Sequence, residues 1–143
     1  EAMAQEAVLD AIAQEFAAVH FRNLPAEADL PARAEAVVAG IIAMVLANEA
    51  LFRTFLSVSV GGGKRPPAPR GGRRLGWIRE ALVPVAGDLP PGALDGLTTG
   101  LALLTGIETI VVFRDVCGLD DAAITRESRR LARVLVTGAL AKC

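Results

Sequence analysis

Three polar side chains stand inside apolar stripes, and these are the positions at which chemistry would be sought. His20 is the only histidine in a chain of 143 residues. It lies at the edge of a face built by Val8, Leu9, Ile12, Ala13, Phe16 and Val19 at helical spacing. It has no second His, Cys or carboxylate at ligand spacing, so no metal site is expected. The remaining readings are a core or capping imidazole and a hydrogen-bonding group that lines a pocket. Asn48 interrupts the stripe Val37, Val38, Ile41, Met44, Val45, Phe52 and Phe55. A buried amide without partners costs about 1–3 kcal/mol, so Asn48 must bond a backbone group or a ligand. Glu108 shares a stripe with Leu97, Leu101, Leu104 and Val111. A carboxylate there is paired with an arginine, held neutral, or in contact with a ligand. Arg126, Arg129, Arg130 and Arg133 are the expected partners, in the same chain or another copy.

Signatures of catalysis are absent. There is no GxSxG, no HExxH and no second histidine for a triad, so an enzyme is not expected and no cofactor is implied. Gly61-Gly-Gly-Lys64 lacks the spacing of a phosphate loop, and Arg65 stands where Ser or Thr is required. The net charge of −1 gives no general attraction to nucleic acid or anionic lipid. The basic cluster Lys64, Arg65, Arg70, Arg73 and Arg74 has no interleaved aromatics. It reads as a solvated loop facing the acidic first helix. Two late cysteines, Cys117 and Cys143, fit a reduced, cytoplasmic setting. The uncharged run Ala36–Ala47 is shorter than the roughly 20 residues of a membrane span, so no membrane partner is expected.

Stepping from these residues to what must hold them, the spacing predicts an all-α domain of five or six helices. Hydrophobic residues make up 52% of the chain, enough for a core without staples. Helices are expected at about 1–22, 31–60, 73–83, 91–117 and 120–142. Pro31 suits a first helical turn. Gly118 is a natural left-handed cap, and Asp120 caps the next helix. Leu119 and Ile124 occupy the positions of a hydrophobic staple. Residues 61–72, rich in Gly and Pro, are expected to form a mobile loop. Glu49 and Arg53 form an ordinary i, i+4 pair. Asp115 opposes the dipole of its helix end, so it needs a partner in the turn or an arginine across an interface.

Residues 1–90 are thus expected to form a pocket and residues 91–143 a helical hairpin. The fourth helix is apolar almost all round over Leu101–Phe113, more than one small core can cover. Pairing two such hairpins about a two-fold axis makes a four-helix bundle. Leu103, Ile107, Ile110, Arg114, Leu131, Leu135 and Gly138 are the expected interface of a homodimer. Phe16, His20, Met44, Asn48, Phe52, Phe55, Trp77 and Glu108 are the expected lining of a pocket for a small, mostly apolar molecule. That molecule would be cationic if Glu108 is ionised there. The alternative is a helical interaction or structural module with a solid core.

The segment Leu101-Ala-Leu-Leu-Thr-Gly-Ile-Glu-Thr-Ile-Val-Val-Phe-Arg-Asp-Val-Cys-Gly-Leu-Asp120, with the Arg-rich helix after it, resembles the C-terminal end of TetR/AcrR-type transcriptional regulators. Glu1-Ala-Met-Ala-Gln-Glu-Ala-Val-Leu9 is similar to the helix that follows the DNA-binding head in that family. The resemblance implies a homodimeric, all-helical repressor domain. It would bind an effector between its helices and release operator DNA held by an N-terminal head. The chain opens at Glu1 inside a helical pattern, so that head is expected ahead of this segment.

Overall fold

Asp29 starts the helix on which the others pack. In the computed structural model, which describes residues 2–24, 27–61 and 72–141, its carboxylate accepts the Ala32 N–H at 3.1 Å. Pro31 follows in the first turn, where its missing N–H costs nothing. The helix, α2, runs Leu30–Ala47 and is long and apolar enough by length and composition to cross a membrane. Here its valines and isoleucines are covered by protein. Ala34, Val37, Val38 and Ile42 are fully buried, and Ile41 and Val45 almost so. Helix α1, Ala2–Asn23, lies along one side of it. Helix α4, Gly72–Leu82, and helix α7, Asp121–Leu140, pack elsewhere on its circumference. Each presents a stripe at 3.6-residue spacing: Ile78, Ala81 and Leu82 on α4; Ala123, Ile124, Ser128, Ala132 and Val136 on α7.

The fold is all-helical, as expected, with two breaks that the periodicity hides. Residues 31–60 do not form one helix. Asn48 leaves helical geometry at φ −129°, ψ 31°, and its side-chain Nδ2 donates to the Met44 carbonyl at 2.9 Å. That bond satisfies a carbonyl freed by the end of α2, and α3, Glu49–Gly61, begins in a new direction. Asn48 is therefore a half-buried cap and not an amide inside a stripe.

Residues 91–117 break as well. Helix α5 covers Ala93–Ala102, and α6 covers Ile107–Val111 before widening into a π-helical turn over Val112–Val116. The chain bends by 52° between α5 and the segment after it. Thr105 donates to the Ala102 carbonyl at 3.0 Å and Thr109 to that of Leu103, so side-chain hydroxyls replace the lost ladder. This bend corrects the argument for an all-round apolar helix. Leu101, Ile107 and Ile110 turn into the core of their own chain and are 0%, 7% and 0% exposed. Ile107 and Ile110 accordingly leave the expected dimer interface. The local signals at the next helix hold: Gly118 has φ +70°, and Asp120 accepts the Ala123 N–H at 2.9 Å. A short 3₁₀ turn, Val83–Val85, closes α4.

Charged groups tie this frame together within one chain. Glu108 pairs with Arg74 of α4, both oxygens at 3.3 Å, and not with the arginines of α7. A side chain at Gly106 would collide with Arg74, so bare backbone makes room for the pair. Arg129 and Arg133 instead reach Glu35 of α2, the former at 3.7 Å. Arg130 pairs with Glu127 on its own helix at 2.6 Å. Arg73 meets Asp10 of the first helix, as expected of the basic cluster; Lys64, Arg65, Arg70 and almost all of the 61–72 loop lie outside the described residues.

The tightest network joins α3 to the C-terminal corner. Arg53 donates to Glu49 at 2.9 Å and to both oxygens of Asp115 at 3.0 Å. Arg114 donates to Glu49 at 2.9 Å and to Asp121. Asp115 thus finds its arginine inside the chain, and Arg114, expected at the dimer interface, is committed to the same network. The hydrogen bond from Arg114, with a further one from Arg53, holds the Glu49 carboxyl below the usual carboxylate range. The bond from Arg53 does the same for Asp115. Carboxylates depressed in the folded state stabilise it above their unfolded pKa and lose that effect as pH falls through the folded value. Thermal melts should therefore show stability dropping from about pH 5 toward pH 3. The double variant Glu49→Gln/Asp115→Asn should be less stable at neutral pH and lose less on acidification. An unchanged acid slope in that variant would show that the network carries none of it.

Candidate functional site

Six residues, 24–29, return the chain from α1 to α2. The two are not flush. A groove of about 690 Å³ opens between them. Ile12, Glu15, Phe16, Val19, His20 and Leu24 line it from α1 and the loop after it. Ala36, Gly40, Ala43, Met44 and Asn48 line it from α2. Both stretches span about 18 Å at 1.5 Å per residue, so the groove is elongated. Its wall on α2 is made of small residues, and the bulk comes from α1.

Gly40 sets how near the two helices come. A Cβ built there would lie 2.6 Å from His20 Nδ1, 2.8 Å from His20 Cε1 and 3.4 Å from Phe16 Cε1. The imidazole thus rests on bare backbone. It stacks on Phe16 with centroids 5.0 Å apart and planes 13° from parallel. It meets Phe21 edge-on at 5.2 Å. Phe16 in turn leans on Trp77 of α4 at 4.7 Å, which connects the groove to the core. His20 Nε2 is buried and has no hydrogen-bond partner among the described residues. Burial first, and the nearby Arg33 second, push the imidazole below its ordinary pKa and keep it neutral at pH 7. Arg33 itself is buried, its Nε donating to the Ala81 carbonyl at 2.5 Å.

Of the expected lining, the structure brings together Phe16, His20, Met44 and Asn48. The others fall elsewhere. Phe52 and Phe55 are carried away by the turn at Asn48 onto α3. Trp77 lies behind Phe16 and does not line the groove. Glu108 is occupied by Arg74. Glu15 is the carboxylate that lines the groove instead, together with the apolar Ile12, Val19 and Leu24. One signal pointed to the far wall: Ala36, Gly40 and Ala43 recur at helical spacing, the pattern that lets a second helix approach. Among the described residues no cluster of His, Cys, Asp and Glu is arranged to hold a metal ion.

A second feature lies on the outer face of the C-terminal segments. Leu103 is 76% exposed, Val116 78%, and Val112 and Val134 about half. Leu135, expected at a dimer interface, is at the surface and lies against Gly100, where a Cβ would approach it to 3.3 Å. Gly138 is exposed and Leu131 half-buried. Comparison of the chain with protein-family models, with curated proteins and with solved structures gives no match.

Two measurements check the groove. The ring resonances of the single histidine should titrate with a midpoint below 6.5 in the folded protein. A midpoint at or above that value would mean that the ring is solvated. The sign follows: a neutral, buried imidazole favours the folded state above its unfolded pKa, and this is lost as pH falls through the folded value. Gly40→Ala should cost about 1–3 kcal/mol by chemical denaturation, because the ring cannot retreat. Gly76→Ala, with open space around it, should add about 0.5–1 kcal/mol from helix propensity alone.

Proposed function

We propose that this chain is a ligand-sensing and homodimerisation domain of the kind that stands behind the DNA-binding head in TetR-type repressors. The observation that carries the ligand half is the groove between α1 and α2. It is large enough for a small molecule, mostly apolar, and furnished with a few polar groups. A small-molecule effector lying there would touch α1 along much of its length. In a TetR-type regulator the corresponding helix joins the effector domain to the head, so a change in the seating of α1 on α2 is the movement by which binding would release operator DNA. The two states needed for such a switch differ in how far α1 stands from Gly40.

The dimer half is supported by the outer apolar residues Leu103, Val112, Val116, Val134 and Leu135. A second copy would cover them, which is the usual meaning of such a patch. The interface is narrower than a full four-helix bundle, because α7 spends its main apolar stripe on α2 of its own chain.

Native mass spectrometry of the purified chain reads both halves at once. The expected result is a dimer that retains or takes up a small apolar molecule, with Leu103→Asp/Val134→Asp shifting the mass to that of a monomer. A bare monomer at micromolar concentration that binds nothing from a panel of hydrophobic ligands would sink the proposal.

A further inference from the structure

The groove also constrains the charge of its occupant, an inference that rests on the effector reading above. Three of its lining residues are polar: Glu15, His20 and Asn48. Asn48 Nδ2 donates one N–H to the Met44 carbonyl at 2.9 Å and leaves Oδ1 as an acceptor beside its second N–H. Glu15 is exposed and forms no ion pair with any described residue, so its oxygens are open acceptors. His20 is neutral and places no positive charge in the groove. Arg33 lies nearby on α2, but its Nε is directed to the Ala81 carbonyl of α4.

Glu15 and Asn48 face the same groove from its two walls, Glu15 from α1 and Asn48 from the end of α2. Apart from His20, the rest of the lining is apolar. The groove is therefore an apolar trough that offers a carboxylate and an amide oxygen as acceptors.

We propose that the groove takes an amphipathic organic cation, with a hydrocarbon body along the trough and a protonated amine donating to Glu15 and to Asn48 Oδ1. Charge-assisted hydrogen bonds of this kind are stronger than neutral ones.

The test compares decylammonium, decanol and decanoate, each below its aggregation concentration, which share a tail and differ in head group. Trp77, the only tryptophan, touches Phe16 and reports occupancy by its fluorescence. Decylammonium is expected to bind roughly tenfold more tightly than decanoate, as one charge-assisted bond allows. Glu15→Gln should remove that preference and leave decanol binding unchanged, with circular dichroism confirming an intact fold. Glu80→Gln, on the exposed side of α4, should keep it. Equal binding of all three ligands, tighter binding of decanoate, or a preference that survives Glu15→Gln overturns the cation assignment and leaves the effector groove standing. No binding of any of them, by fluorescence or by native mass spectrometry, overturns the groove reading as well.

Discussion

Everything in this domain leans on the burial of α2. Its residues Ala34, Val37, Val38, Ile41, Ile42 and Val45 form one broad apolar face, and that face needs cover. Helices α7 and α4 pack on α2 there, while α1 approaches at Gly40. Fully burying one such aliphatic side chain contributes roughly 1.5–3 kcal/mol, so α2 holds much of the fold's driving force. The unequal quality of that cover is the origin of the site. Helices α4 and α7 meet α2 with matched apolar stripes, and the residues at those contacts are buried. Helix α1 meets it across small residues, with large side chains of its own, and the mismatch is the groove.

The electrostatics divide along the same line. Glu35, Glu49, Asp115 and Asp121 bind arginines that pin α7, α3 and the C-terminal corner to the frame. These pairs are partly exposed, and each adds little alone; linked through shared arginines, they fix geometry more than they supply stability. Among the described residues one pair joins α1 to another helix, Arg73–Asp10.

How much of this was legible in the sequence depended on range. Pro31, Gly118 and Asp120 act on near neighbours in the chain, and their effects were readable in advance; Asp29 caps by the same short-range rule. So were Glu49–Arg53 and the all-helical class. The breaks at Asn48 and at residues 103–106 were not, because the residues around them keep a helical apolar period, and only packing decides that the chain turns. Asn48 does bond a neighbouring backbone carbonyl, as a polar residue in an apolar stripe must, but the stripe hid that it does so at the end of a helix. Glu108 found Arg74, 34 residues away, instead of an arginine on the next helix. For the groove, stray polar groups gave His20 and Asn48, and bulk gave Phe16 and Met44. Glu15 is one of several carboxylates on α1, and nothing local distinguishes it from its neighbours.

The π-helical turn at Val112–Val116 reaches beyond its own five residues. Cys117 donates to the Val112 carbonyl at 3.0 Å, five positions back instead of four. One residue more than an α-turn holds is accommodated there, and every side chain downstream is rotated by about 100° relative to an unbroken α-helix. Val112 and Val116, at the two ends of the turn, are on the outside, while Phe113 stays packed within. An insertion of this kind behaves as a phase slip in the heptad-like rhythm of the chain. Any alignment that reads 107–116 as a uniform rod will be out of step from there to Gly118, and will assign the wrong residues to the molecule's interior.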